Sequence, residues 1–402
     1  MNVQKVRNDF PILREQVYEL PLIYLDNAAT TQKPYIVLDT LYEQYAKWNG
    51  NVHRGSHYLS NRSTERFESA RETIRRFLNA KKADEIIFTK GDTEAINLVA
   101  HCYGKFIEAG DEIIVSEAEH HSNLVPWQQL CLQTKATLRV IPLDKDGMLD
   151  MDAYRLLLSE KTKLVAVCHV SNVLGTINPI QEIIDLAHEK GTPVLIDGAQ
   201  AVAHMPIDVT QLNCDFYTFS GHKVYGPNGI GVLYAKETWL EQMPPYQFGG
   251  EMVDRVRFAQ TTFEKAPFKF EAGTPDYPAA IALAEAILYI QQIGWKNLNR
   301  YESSLSAYAR SALADIRGIQ FYGHSETGVI SFNIDGIHCY DLALILDKLG
   351  IAVRAGSHCA QTVMTHYQIA GCARASLCFY NTTEEIDALC DGIHRAQCMF
   401  RI

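Results

Sequence analysis

The sequence contains no Cys-x-x-Cys pair, no internal repeat and no low-complexity tract. Its ten cysteines are scattered, at 102, 131, 168, 214, 339, 359, 372, 378, 390 and 398, so zinc-ribbon and paired-thiol redox readings lose the spacing they require. Reduced thiols acting as small hydrophobes are the default reading. No apolar run approaches the roughly 18 residues of a membrane span, and the opening MNVQKVRNDFPILREQ lacks an apolar signal-peptide core. A cytoplasmic protein with no membrane partner is therefore expected. Positive charge is scarce: 37 Lys and Arg against 47 Asp and Glu leave a net charge of −10. Nucleic acid is excluded as a partner on that ground, because phosphate binding needs clustered cations. The His120-His121 pair has no third ligand at a usual spacing, so no metal is expected.

What is present reads as a folded enzyme. Apolar residues make up 47% and charged residues 21% of the 402, enough for a large core, and the length suits two domains or one large α/β domain with a satellite. From about residue 84 to 235, seven β-branched runs (DEIIFTK, DEIIVSE, ATLRVIPL, KLVAVCHV, TPVLID, CDFYTFS, GIGVLYA) recur, with helical stretches such as GDTEAINLVAHCYGKF and PIQEIIDLAHEKG between several of them. That alternation predicts an α/β fold in which ligands gather at the carboxyl ends of strands. Residues 245–278, rich in aromatics, Gly and Pro, read as a long functional or interfacial loop. Helices are predicted from 278 to about 317, then strand candidates GVISFNI, IAVRA and RASLCFY, and a last helix near 384–399. The expected division is a large domain over 22–278 and a smaller α+β domain from 1–21 and 279–402.

Within this frame a few residues carry chemistry. Lys223, in FYTFSGHKVYGPNGIGVLY, hangs off a strand's carboxyl end between Gly221, His222 and Gly226. An isolated lysine there is a solvated charge; flanking glycines that admit a bound group make a Schiff-base lysine credible. Asp197 ends the strand of VLIDGAQ, followed by Gln200. It could cap a helix, but beside Lys223 it supplies the carboxylate that a pyridoxal phosphate ring nitrogen needs. TKGDTEAIN opens a helix at Gly91 with free N–H groups for a phosphate, where Asp92 or Thr93 could equally be an ordinary cap; Ser220 and His222 could complete the cradle. His120, with an unperturbed pKa of ~6.5, is placed as a ring over the cofactor and a proton carrier near neutrality, with a core histidine as the plainer alternative.

These stretches, together with YLDNAAT, GNVHRGSHYLS, AEHHSNLVPW, SNVLGT, EAGTP, RAGSHCAQ and RASLCFYNT in this order, closely resemble the aminotransferase class V branch of fold-type I pyridoxal phosphate enzymes. Within it they are similar to the group II cysteine desulfurases of SufS/CsdA type. The resemblance implies a large, mainly parallel seven-stranded sheet domain and a homodimer. It also implies pyridoxal 5'-phosphate as cofactor and L-cysteine as substrate, with selenocysteine as a possible second one. It assigns Lys223 to the Schiff base and proton transfer, Asp197 to the pyridine nitrogen, Gln200 to the phenolic oxygen and His120 to ring stacking. Thr93, Asp92, Ser220 and His222 fall at the phosphate end, and Thr274 at a phosphate contact supplied across the dimer. Asn172, Arg374 and Arg354 fall on the substrate side, with His53 and Arg54 near the partner's site. Cys359 matches the nucleophile that takes sulfur from cysteine as a persulfide, leaves alanine, and passes sulfur to a SufE/CsdE-like or other acceptor for iron–sulfur assembly or related trafficking.

Four further expectations follow. Arg354 and His358 should raise the thiolate fraction of Cys359 if their charges come close, and RAGSHCAQ should be a flexible loop of the small domain. Asp92 replaces a residue that is usually Thr or Ala, and its carboxylate should turn from the phosphate to cap the helix. Ser357 departs from both subgroups while Gln361 is more CsdA-like, which leaves the acceptor open. Strand alternation over CARASLCFY puts Cys372, Arg374, Ser376 and Cys378 on one face, making Cys372 a secondary sulfur acceptor or, more plainly, an inert buried thiol. Rival readings are another class V lyase or aminotransferase, such as a selenocysteine lyase, kynureninase-like or epimerase relative, which needs no thiol at 359, and a non-catalytic sulfur-carrier scaffold, which needs neither Lys223 nor Asp197.

Overall fold

The seven β-branched runs all become strands of one sheet in the computed structural model, which describes residues 1–401. They are β1 (Ile86–Thr89), β2 (Glu112–Ser116), β3 (Thr137–Ile141), β4 (Thr162–Cys168), β5 (Val194–Asp197), β6 (Phe216–Ser220) and β7 (Gly231–Ala235), in the order β1-β7-β6-β5-β4-β2-β3. Every residue of β1, β2, β5, β6 and β7 is buried, because apolar clusters lie on both faces of the sheet. That is why these runs are continuously apolar instead of alternating.

The topology decides what meets at one edge. Strands β3, β2, β4, β5 and β6 are parallel, and the order reverses between β2 and β4, the place where such sheets open a crevice. Strand β7 is antiparallel to both β6 and β1. Two antiparallel steps restore direction, so β1 ends on the same edge as β5 and β6. Thr89 and Ser220 accordingly both lie opposite Gly231. A Cβ on Gly231 would sit 2.5 Å from the Gly91 Cα, so only glycine lets β7 pass the turn into the helix that follows β1.

The helices predicted from GDTEAIN and PIQEIID form over Asp92–Tyr103 (α1) and Ile180–Glu189 (α2). The stretch after 277 is two helices, α3 (Tyr277–Ile293) and α4 (Trp295–Ala314), broken at Gly294 with φ +83°. Helix α3 carries Ile281, Leu283 and Ile287 into the same cluster as Ile196 of β5 and Val232 of β7. It therefore packs in the large-domain core, although the sequence pattern placed it at the start of the small domain.

Residues 245–278 hold an element absent from the sequence reading, an exposed hairpin of β8 (Val253–Arg257) and β9 (Gln260–Phe263). Its Phe258-Ala259 turn lacks the Gly, Asn or Asp that would have signalled it.

The small domain is a four-stranded antiparallel sheet in the order β10-β11-β13-β12, from Ile319–Tyr322 (β10), Val329–Ile334 (β11), Arg354–Gly356 (β12) and Cys372–Ser376 (β13). Helix α4 and the final helix α5 (Thr383–Phe400) cover it, with Leu305, Phe332 and Ile386 in its core. The N-terminal segment attaches here: Arg7 donates to Tyr380 O at 2.6 Å and pairs with Glu385 at 2.8 Å. Ile23–Tyr24 also pairs in parallel with Ile351–Ala352.

Candidate active site

Strand ends on this edge bring ten of the predicted residues around one cavity of about 210 Å³: Asp92, Thr93, His120, Asn172, Ser220, His222, Lys223, Arg354, Cys359 and Arg374. Lys223 sits in the turn after β6 and has no salt-bridge partner among the described residues. Its ammonium lies close enough to Asp197 to favour that carboxylate's charged form, against burial, which raises its pKa. Asp197 is 5% exposed and accepts the Ala199 N–H at 2.9 Å. Gln200, also buried, donates to Ala28 O at 2.7 Å.

Two of the cavity histidines, His120 and His222, are neutral. Burial, and then the Lys223 charge, depress His120 to about 3 and His222 to about 4. The expected titration of His120 near neutrality is thus corrected: its ring is desolvated beside a cation. Ser122 N–H donates to His120 Nδ1 at 3.1 Å, which makes Nδ1 the acceptor and leaves the proton on Nε2.

At the start of α1, Asp92 does not act as the cap. The cap is Gly91, with no side-chain bond. Asp92 is 5% exposed, its backbone N–H donates to Ser220 Oγ at 2.8 Å, and its Oδ1 is buried without a hydrogen-bond partner. Its carboxyl faces Asp197, Thr218 and Lys223 instead.

On the opposite side, Arg374 is 2% exposed. It donates to Asn172 O at 2.8 Å and to Asp26 Oδ1 at 3.2 Å, and its Nε is buried without a partner. Arg354 grips the same Asp26 from 3.0 to 3.2 Å. Asp26 is a residue the sequence reading missed, although it stands inside the YLDNAAT motif; alone it is one acidic residue, and only the fold shows two guanidinium groups on it.

Cys359 is exposed, yet its segment is not a flexible loop. His121 N–H donates to Cys359 O at 2.7 Å, Asn172 Nδ2 to His358 O at 2.8 Å, and His358 Nε2 to Cys372 O at 3.0 Å. The turn is tight, with φ of +53° at His358 and +55° at Cys359, and these tethers hold a backbone shape that costs about 1 kcal/mol or more per residue. Burial depresses His358 to about 3, so it brings no positive charge to the thiol; Arg354 is the cation whose field reaches Cys359. Cys372, opposite Gly356 on β13, is fully buried, and its thiol is pushed up to about 12 by burial, which removes the thiolate a secondary acceptor needs. Cys378 lies past the end of β13 and is likewise buried.

Asp197 and Gln200 sit behind the cavity lining, and three further predicted residues lie away from it. Thr274 lines a separate space of about 330 Å³ with Lys90 and Glu94. His53 bonds Glu68 at 3.0 Å and Arg54 pairs with Glu251 at 3.2 Å.

An amine without an ionic partner, a buried carboxylate, a neutral imidazole and the N-terminus of α1 make a donor set that fits pyridoxal phosphate. The unpartnered Arg374 Nε fits a substrate carboxylate.

Comparison with known proteins shows the family and the fold. Residues 23–389 match the aminotransferase class-V family. A protein named cysteine desulfurase in Escherichia coli is 50% identical over 397 residues, 98% of each chain. One named probable cysteine desulfurase in Halalkalibacterium halodurans is 49% identical over 399 residues, covering 99% of this chain and 98% of its own. Among solved structures, the cysteine desulfurase CsdA of E. coli, in its S-sulfonic acid form, superposes with a TM-score of 0.93 at 40% identity over 99% of both chains. An apo cysteine desulfurase of Thermococcus onnurineus does so with 0.93 at 38% identity, over 98% of this chain and 97% of its own. The chain belongs to the aminotransferase class V family of fold-type I enzymes, and within it to the cysteine desulfurases. That family is pyridoxal phosphate-dependent.

Proposed function

We propose that the protein converts L-cysteine to L-alanine and holds the sulfur as a persulfide on Cys359 before handing it to an acceptor. One observation carries the reading: a single exposed thiol faces the same cavity as an unpaired lysine backed by a buried carboxylate. Bound pyridoxal phosphate would supply the aldehyde that carries the amino acid and the electron sink that loosens its Cα–H bond.

The chain's own residues do the rest. Lys223 would hold the aldehyde and move the proton at Cα, Asp197 would accept the ring N–H, and Gln200 would donate towards the phenolic oxygen. Thr93, Ser220, His222 and the first free N–H groups of α1 would hold the cofactor's phosphate. His120, neutral and with Nε2 protonated, would stack on the ring. The free Nε of Arg374 and the Asn172 amide orient the substrate carboxylate, and Asp26 fixes the guanidinium. The Cys359 thiolate, in the field of Arg354, attacks the substrate sulfur; the C–S bond breaks, an S–S bond forms, and the carbon fragment takes a proton to become alanine.

We further propose a homodimer in which Thr274, His53 and Arg54 complete the partner's site. Their position outside this chain's own cavity supports it, as does the exposure of Phe258 at the hairpin tip. The acceptor is a SufE/CsdE-like or similar protein feeding iron–sulfur assembly or related sulfur transfer, and selenocysteine is an alternative substrate.

The purified protein should be yellow and yield alanine and sulfide from L-cysteine under reductant. Cys359→Ala should keep the colour and lose turnover of cysteine; unchanged turnover would sink the assignment.

A further inference from the structure

Asp92 is the one cavity carboxyl that the proposed reaction leaves without a task. It reaches the cavity from the first turn of α1, 5% exposed, with Oδ1 buried and unpartnered. The groups facing it are the Asp197 carboxyl from the end of β5, the Thr218 hydroxyl and Tyr217 phenol of β6, and the Lys223 ammonium from the turn beyond. The Asp197 charge also reaches Glu119, after β2. Two adjacent carboxyls out of water cannot both ionise at low cost.

The geometry says which keeps the proton. Asp197 has the Ala199 N–H at 2.9 Å and its anion is favoured by Lys223; the Asp92 Oδ1 has no donor. Burial, and then the Asp197 charge, push Asp92 up to about 8.

We propose that Asp92 is a positioning residue that carries a proton at neutral pH and donates it in a hydrogen bond to the Asp197 carboxylate, thereby lowering the basicity of the group that faces the cofactor's ring nitrogen. A carboxylate that already accepts a strong bond competes less for the ring proton, so this pair sets how firmly the ring stays protonated. The consequence for the ring rests on the proposed cofactor; the shared proton does not.

The test reads the proton directly. Infrared spectra of the purified full-length protein should show a protonated-carboxyl stretch at neutral pH that fades as pH rises through about 8. Glu119, pushed up to about 7 by burial, adds a component of its own. Assignment therefore rests on the part lost in Asp92→Asn, or in Asp92→Thr should the amide variant not fold.

Stability gives a second readout. The folded state holds a proton that the unfolded chain releases, so the wild-type folded-to-unfolded ratio should fall relative to Asp92→Asn by up to about tenfold per pH unit between roughly pH 4 and 8, and no further above. Absence of a protonated-carboxyl band at neutral pH, or the same band and the same pH dependence in the variants, overturns the proposal. A protein that shows the band but binds no pyridoxal phosphate refutes the cofactor reading and upholds the shared proton.

Discussion

Arg71 offers a stability test whose magnitude comes straight from its contacts. The residue is 1% exposed. Its guanidinium donates to Glu271 twice, at 2.7 and 2.9 Å, to Ile86 O at 2.8 Å and to Glu68 at 3.0 Å, and stacks 5.0 and 4.9 Å from the Phe67 and Phe88 ring centroids. Glu271, also buried, accepts one further bond, from the Phe88 N–H at 2.7 Å. Replacing Arg71 by Met keeps much of the packing but strands a carboxylate out of water, which should cost about 3–5 kcal/mol.

Adding Glu271→Gln should return about 2 kcal/mol or more of that loss, because the stranded charge disappears. Urea unfolding of the two single variants and the double variant, followed by tryptophan fluorescence, measures the cycle. A single-variant cost below about 1 kcal/mol, the level of an exposed pair, would refute the argument. The pair also bears on function: Glu271 begins the EAGTP turn, so Arg71→Met should loosen Thr274 and weaken cofactor retention if Thr274 contacts phosphate.

Other perturbations separate the roles in the cavity. Lys223→Ala should lose the visible absorbance that borohydride abolishes in the wild type, and a retained borohydride-sensitive band would place the Schiff base elsewhere. Arg374→Lys loses the planar fork and should raise KM for cysteine by about tenfold or more with a smaller change in kcat; an unaltered KM removes Arg374 from substrate binding. His120 and His358 are depressed to about 3, below the unfolded value of about 6.5, so unfolding takes up protons between these limits. Each stabilises fully above about pH 6.5 and loses that contribution as pH falls towards 3, costing about 2 kcal/mol by pH 5. His358→Gln should flatten its share of this acid sensitivity, and an unchanged pH profile would contradict the neutral ring.

The seven strands of the large sheet were legible because both faces are covered, which makes each strand a short apolar run between turn residues. The hairpin at 253–263 was not, because its strands are exposed and its turn lacks the usual residues. Lys223, Asp197 and Cys359 could be named as candidates from their local motifs, whereas Asp26 could not: its significance is a meeting with Arg354 and Arg374, more than 300 residues away. The protonation states of His120 and His358 were misjudged for the same reason. A histidine's sequence neighbours carry its chemical type but not its burial or the cation that folding sets beside it.

The sequence by itself determined the class of fold and the family, and it pointed to Lys223, Asp197 and Cys359 as the candidate lysine, carboxylate and thiol, since each of these rests on residue type and short-range order. Tertiary structure alone decided that β7 reverses direction, so that α1, Asp197 and Lys223 open on one edge. It also decided that the Cys359 turn is pinned to the large domain and that Asp92 is buried against Asp197. These outcomes depend on which distant groups are brought together and how far water is excluded between them, and neither quantity exists until the chain is folded.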